Sequence, residues 1–185
     1  MIVEYAIDAN DQLISVGADW STFAADNGAP ELAQPPLGRS LWSFIRTGGA
    51  DEVWHLLVTR ARDADKPIEL SCRCDAPETR RWFAMTLTAS ADRTLWFRSV
   101  LLRAEQRVPV PFRLMSLWQE SSAHRSAPQV VVCGWCARWV GGGRWMEIEE
   151  YLSTTSLLER SELPTVAYGI CPDCEDQLFS EVLLS

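Results

Sequence analysis

Apolar and polar residues alternate at the start of the chain, which is the pattern of a strand with one buried face. Val3, Tyr5 and Ile7 fall on one side of residues 3–8, and charged side chains fall on the other. After a turn, residues 13–16 supply a second strand-forming segment. The chain is therefore predicted to open with a β-hairpin.

Helical spacing of apolar residues follows, first over the short segment 20–25 and then over residues 51–64. The predicted buried stripe of the longer helix consists of Val53, Trp54, Leu57 and Ala61. Three strands are then predicted, at 68–74, 82–89 and 95–102. Two strands, several helices and three strands predict an α+β fold, in which a five-stranded antiparallel sheet carries helices on one face.

A change of composition divides the chain into two predicted parts. Residues 1–107 form the α+β domain, and polar residues with two prolines predict a linker with a short docking helix over 108–127. Residues 128–185 are predicted to form a separate module. A core of only 58 residues is marginally stable unless an additional element such as a metal holds it together.

Four of the six cysteines lie in this smaller module as two CxxC pairs, Cys133 with Cys136 and Cys171 with Cys174. Two such pairs are typical of a tetrahedral site with four thiolate ligands for one structural Zn²⁺. A predicted strand at 130–132 leads into the first pair, and an amphipathic helix at 175–184 follows the second. This order of strand, cysteine pair, cysteine pair and helix predicts a treble-clef-like zinc module. A further helix is predicted at 145–152, between the two pairs.

Three other interpretations of the CxxC pairs stay open but are disfavoured. A thiol-disulfide enzyme carries one pair before a long helix, whereas glycine-rich chain follows Cys136. A disulfide framework needs an oxidising compartment. A redox-labile site, in which oxidation of a thiolate releases the zinc, is compatible with the same four ligands.

Charge and hydropathy restrict the partners and the compartment. The net charge is −8, and residues 127–185 carry three basic and nine acidic side chains. Because nucleic-acid binding requires clustered Lys and Arg, no nucleic-acid partner is expected. The first residues lack the features of a signal peptide, and no apolar run approaches the length of a membrane span, so a cytoplasmic protein without membrane contact is expected.

Few other residues suggest chemistry. Cys72 and Cys74 fall on one face of a predicted strand, where a second metal or redox pair is less favoured than two core residues. His55 is predicted to face solvent, and His124 falls in the linker. The chain contains no Ser/His/Asp set, P-loop or GxGxxG motif, so an enzyme is not expected.

Two segments resemble families of bacterial signalling proteins. The hairpin and helix at 5–24, the segment 38–45 and the closing three-strand run together resemble a PAS domain. Residues 133–136, 145–151 and 169–174 resemble a cysteine-rich tail found in PAS-containing signalling proteins, with Tyr168 where such tails often carry His. The resemblance implies a sensory or protein-interaction domain followed by a zinc-binding tail.

The sequence is therefore interpreted as a non-enzymatic, cytosolic bacterial signalling protein that acts through an unidentified protein partner. The PAS resemblance also makes a homodimer plausible. The alternative is a sensor, in which the PAS pocket binds a small molecule or the zinc site responds to oxidation. Large side chains at Trp42, Phe44, Trp54, Phe83 and Met85 favour a filled pocket over a ligand-binding one.

Overall fold

The computed structural model describes residues 1–45, 50–110, 129–157 and 164–183, and shows a mixed α+β protein. The described strands are β1 (Ile2–Ile7), β2 (Leu13–Val16), β3 (Ile68–Arg73), β4 (Thr79–Ala89), β5 (Leu95–Gln106), β6 (Gln129–Cys133), β7 (Trp139–Gly141), β8 (Arg144–Met146) and β9 (Thr165–Gly169). The described helices are α1 (Trp20–Asp26), α2 (Ala50–Asp63), α3 (Ile148–Thr154) and α4 (Pro172–Leu183). The predicted linker helix and His124 lie within 111–128, outside the described residues.

The first five strands form one antiparallel sheet, as the sequence predicts, and the structure shows their order to be β2-β1-β5-β4-β3. The alternation in β1 places Val3 and Ile7 in the core, and Glu4 on the outer face pairs with Arg98. Strands β4 and β5 are longer than predicted and pair from Thr79 opposite Gln106 to the hairpin turn. Strand β3 is one edge of this sheet, so its outer backbone groups need a partner.

Helices α1 and α2 connect the first hairpin to the last three strands. In α2 the predicted stripe buries Leu57 and Ala61, together with Val58, whereas Trp54 is half-buried. His55 is exposed, as predicted, and its ring stacks on Trp42 at a centroid distance of 3.5 Å. Within the described ranges, every helix is too short or too polar to cross a bilayer.

Residues 129–169 contain a second sheet, in the order β8-β7-β6-β9. The helix predicted over 145–152 is partly wrong, because Trp145 and Met146 pair with β7 in a hairpin and α3 begins only at Ile148. The hairpin turns at Gly142 and Gly143, which both have positive φ, a conformation that glycine adopts without steric cost.

Strand β9 was not predicted, and it pairs with β6 in parallel, from Gln129 opposite Thr165 to Cys133 opposite Gly169. Parallel neighbours end at the same edge of a sheet. Cys133 at the end of β6 and the residues that follow β9 therefore start side by side. This pairing explains how cysteines so distant in sequence reach one place.

The two parts of the chain share a hydrophobic core. Trp135, which lies inside the first CxxC pair, is almost completely buried and packs against Trp54 of α2 at a ring-centroid distance of 5.0 Å. Its indole N–H donates to the Ser71 carbonyl over 2.7 Å, and its own carbonyl accepts from the Arg73 N–H over 2.9 Å. These two hydrogen bonds satisfy backbone groups at the free edge of β3. They also hold the turn between Cys133 and Cys136 against the first sheet.

Ion pairs join the same two parts at a second place. Arg73 contacts Glu147 over 2.8 Å, and Arg80 contacts Glu149 over 2.6 Å. The Arg73 guanidinium is also held by the buried carboxylate of Asp75. Because the Arg73 and Asp75 side chains are nearly inaccessible, these contacts constrain the geometry more than exposed ion pairs do.

Replacing Trp135 by alanine is expected to destabilise the whole protein, because the change removes a large buried ring and the indole hydrogen bond to the Ser71 carbonyl. The expected loss is about 3–5 kcal/mol in the free energy of unfolding, measured by urea denaturation of the metal-loaded protein. Trp96→Ala is the matched control, since Trp96 is 45% exposed on the outer sheet face and should cost about 1 kcal/mol or less. Equal losses in the two variants would contradict the role assigned to Trp135.

Candidate metal centre

The sulfur atoms of Cys133, Cys136, Cys171 and Cys174 all lie within 4.8 Å of one another. Cys136 Sγ and Cys171 Sγ are 3.7 Å apart, and all six cysteines are free thiols. Four sulfurs about 2.3 Å from a central zinc would be separated by about 3.8 Å, whereas a disulfide needs about 2.0 Å. The cluster therefore has the dimensions to hold one metal ion.

The first pair sits on a tight turn at the end of β6. The Cys133 N–H donates to the Arg138 carbonyl over 2.8 Å, and the Ala137 N–H donates to the Cys133 carbonyl over 2.9 Å. Ala137 adopts a positive φ of 58°, which reverses the chain. Gly134 is needed here because a Cβ at this position would lie 3.0 Å from the Cβ of Ala50, the first residue of α2.

The second pair sits at the start of α4. Cys171 directly precedes the helix, and its carbonyl accepts from the Glu175 N–H over 2.9 Å. Cys174 lies in the first helical turn. The Cys171 N–H also points to Cys133 Sγ at 3.5 Å. The predicted helix after this pair is thus confirmed and begins slightly earlier, at Pro172.

Arg138 contacts two of the four sulfurs. Its Nε–H donates to Cys136 Sγ and its Nη2–H donates to Cys171 Sγ, both over 3.2 Å, and Nη2 also contacts Asp173 over 2.7 Å. Four thiolates and a divalent cation have a net charge of −2, so one guanidinium reduces the excess negative charge. Sequence reasoning missed this residue, although a basic side chain two positions after a predicted ligand is a usable signal.

The surroundings shift the pKa values of two of these cysteines in opposite directions. Hydrogen bonds from Cys133 and Cys174 hold the pKa of Cys136 well below its usual range, whereas burial raises the pKa of Cys171 to about 11. These shifts favour the thiolate form at Cys136 and the thiol form at Cys171. A bound cation would displace the remaining thiol protons, as metal binding to cysteine generally does.

Cys72 and Cys74 lie apart from this cluster, which is the only group of metal-ligating side chains found in the described ranges. Both are half-buried, and burial raises the pKa of Cys72 to about 12 and also raises that of Cys74. At neutral pH both side chains are therefore protonated, and they behave as small apolar groups with little nucleophilicity.

A cavity lies between the first sheet and its helices, beside the cysteine turn. It comprises two adjoining spaces of about 420 Å³ and 250 Å³, which share Val3, Tyr5, Phe23, Trp54 and Gly134 as lining residues. Phe83 and Met85 line the smaller space without filling it, and Trp42 instead stacks on His55. The large side chains that the sequence analysis expected to fill the pocket therefore leave part of it empty. Gly134, in the turn between Cys133 and Cys136, forms part of the cavity wall.

No protein-family model matches the chain, and no curated protein matches it either. The class of protein is therefore defined by its own geometry, as a mixed α+β protein with a five-stranded antiparallel sheet and a four-cysteine cluster that could hold one metal ion.

Arg138→Ala is expected to weaken metal retention, since loss of a group that hydrogen-bonds to ligands costs about 10–100-fold in affinity in comparable sites. Metal transfer from the loaded protein to a coloured chelator should be about tenfold faster or more. The matched control is Arg144→Ala, which removes an exposed arginine that pairs with Glu150. Transfer at the same rate from both variants would exclude a role for Arg138 at the centre.

Proposed function

We propose that the protein is a non-enzymatic regulatory protein of the bacterial cytosol, in which one Zn²⁺ bound by the four clustered cysteines stabilises the C-terminal part as a treble-clef-like module. The observation that carries the proposal is the convergence of four sulfurs within 4.8 Å at the end of two parallel strands. In this proposal the protein transmits a signal by contacting another protein.

The donor set supports zinc in a structural role. Thiolate ligands select soft or borderline ions, and Cys₄ sites with CxxC spacing are typical of structural zinc. Four protein ligands complete a tetrahedron and leave no position for water or substrate. Cys133 and Cys171 are almost inaccessible, and Cys174 is buried, so exchange of ligands with solvent is restricted.

The architecture of the first part supports a PAS-like sensory or interaction domain. A hairpin, a helical segment and a three-strand run follow one another in the order that the resemblance implies, and they build one five-stranded antiparallel sheet. Helix α2 covers one face of that sheet. The opposite face exposes Trp96 and Leu102 to solvent.

Elemental analysis of the purified protein is the direct test of the zinc site. The expected result is one zinc per chain, and Cys171→Ser should lose it because three thiolates and a hydroxyl bind zinc far more weakly. Cys72→Ser is the matched control and should keep one zinc per chain. Metal-free protein that stays fully folded, or a Cys171→Ser variant with full zinc content, would refute the proposal.

The second candidate function, a small-molecule sensor, is favoured by the unfilled cavity. Its wall is aromatic and includes Tyr5, Phe23, Trp54, Phe83 and Trp135. Such a lining suits a flat apolar ligand, because stacking and burial of apolar area supply the binding energy.

The cysteine cluster could instead act as a redox sensor. Oxidation would then begin at Cys136, the most accessible of the four clustered cysteines.

Indole is a suitable probe for the cavity. Titration followed by methyl NMR should give saturable shifts at Val3 and Met85, which line the smaller space. Ser99→Leu adds a branched side chain to the cavity wall and should abolish these shifts while zinc content and thermal stability show that the variant is folded. Shifts that are absent from Val3 and Met85, or that persist unchanged in Ser99→Leu, would exclude the cavity as a ligand site.

A further inference from the structure

A groove between α2 and α4 combines an apolar floor with an acidic rim. Its volume is about 390 Å³. Leu57, Leu178 and Val182 form the buried floor, whereas Leu56 and Phe179 are 41% and 48% exposed. A phenylalanine with about half of its surface in water, beside a second exposed apolar side chain, marks a surface that none of the described residues fully covers.

The groove has the spacing of a helix-binding surface. Four residues of α4 line it at positions i, i+3, i+4 and i+7, from Glu175 to Val182, so two successive turns of one helix face are presented. Helix α2 supplies the opposite wall with residues one turn apart. A third helix can therefore place its own i, i+3, i+4 and i+7 side chains between these two ridges.

Charge restricts the identity of that third helix. The described lining contains the carboxylates of Glu52 and Glu175 and no basic side chain. A second copy of the chain, packed about a twofold axis, would bring the same carboxylates together, and like charges at one interface are strongly unfavourable. An anionic lipid surface would be repelled for the same reason.

We propose that this groove binds an amphipathic helix of a partner protein, with apolar side chains against Leu56 and Phe179 and Lys or Arg beside Glu52 and Glu175. The inference rests on the proposed function, because α4 begins at the second cysteine pair and its position depends on the metal centre. It specifies that the unidentified partner presents an amphipathic helix with basic side chains beside its apolar face.

Two fluorescent peptides of about 14 residues provide the test, both with leucine at i, i+3, i+4 and i+7. The polar positions are lysine in one peptide and glutamate in the other. Fluorescence anisotropy with the zinc-loaded full chain should show saturable one-to-one binding of the lysine peptide, and binding of the glutamate peptide should be at least about tenfold weaker. Glu52→Lys with Glu175→Lys should reverse this preference.

Phe179→Ala is expected to weaken binding of the lysine peptide about tenfold or more, because aromatic side chains that line a binding groove supply much of the energy of such contacts. The matched control is Leu102→Ala, which removes a 64% exposed apolar side chain on β5, away from the groove, and should change nothing. Zinc content and melting temperature show that each variant is folded.

Equal binding to the Phe179→Ala and Leu102→Ala variants would overturn the inference, as would a double lysine variant with unchanged preference. A dimer in sedimentation velocity that Phe179→Ala abolishes would assign the groove to a second copy and also overturn it. Zinc content measured on the same samples separates the two proposals. One zinc per chain without peptide binding refutes only the groove, whereas absence of zinc refutes the metal centre.

Discussion

Two parallel strands that end side by side are the feature on which the cysteine cluster depends. Strands β6 and β9 place Cys133 opposite Gly169, and the chain then delivers Cys171 and Cys174 next to the first pair. Thiolates at this spacing repel one another unless a cation lies among them. The backbone pairing and a bound cation would therefore support each other, since the strands gather the sulfurs and a cation would remove their repulsion.

Trp135 extends this dependence to the first sheet. It lies between two ligands, and its indole and carbonyl satisfy the edge strand β3 while its ring packs on α2. Cys133, Cys171 and Cys174 belong to the same continuous core as Phe97 and Leu57. Binding of a metal should therefore affect the wall of the cavity and the position of α4. The cavity proposed to bind a small molecule and the groove proposed to bind a partner helix would then both depend on the cysteine cluster.

Local patterns in the sequence predicted most of the fold. The alternation in β1, the stripe of α2 and the CxxC pairs depend on residues close in sequence, and each appears in the structure. The strand over 144–146 was missed because the apolar spacing of Trp145 and Met146 also fits a helix, and pairing with β7 decided between the two.

Long-range contacts could not be predicted in this way. Strand β9 is short and becomes a strand through its parallel partner β6. The contact of Arg138 with two sulfurs and the insertion of Trp135 both arise from tertiary packing. The cavity was an alternative that the sequence did not favour, because side-chain size alone does not tell whether neighbouring rings fill a space or surround it.

X-ray absorption at the zinc K-edge tests most directly the claim that four cysteines bind one zinc ion, because it reports the number, type and distance of the atoms around the metal. The account predicts four sulfur neighbours at about 2.3 Å in the purified protein. A shell that contains nitrogen or oxygen, or fewer than four sulfurs per zinc, would contradict the assignment of all four cysteines to one ion.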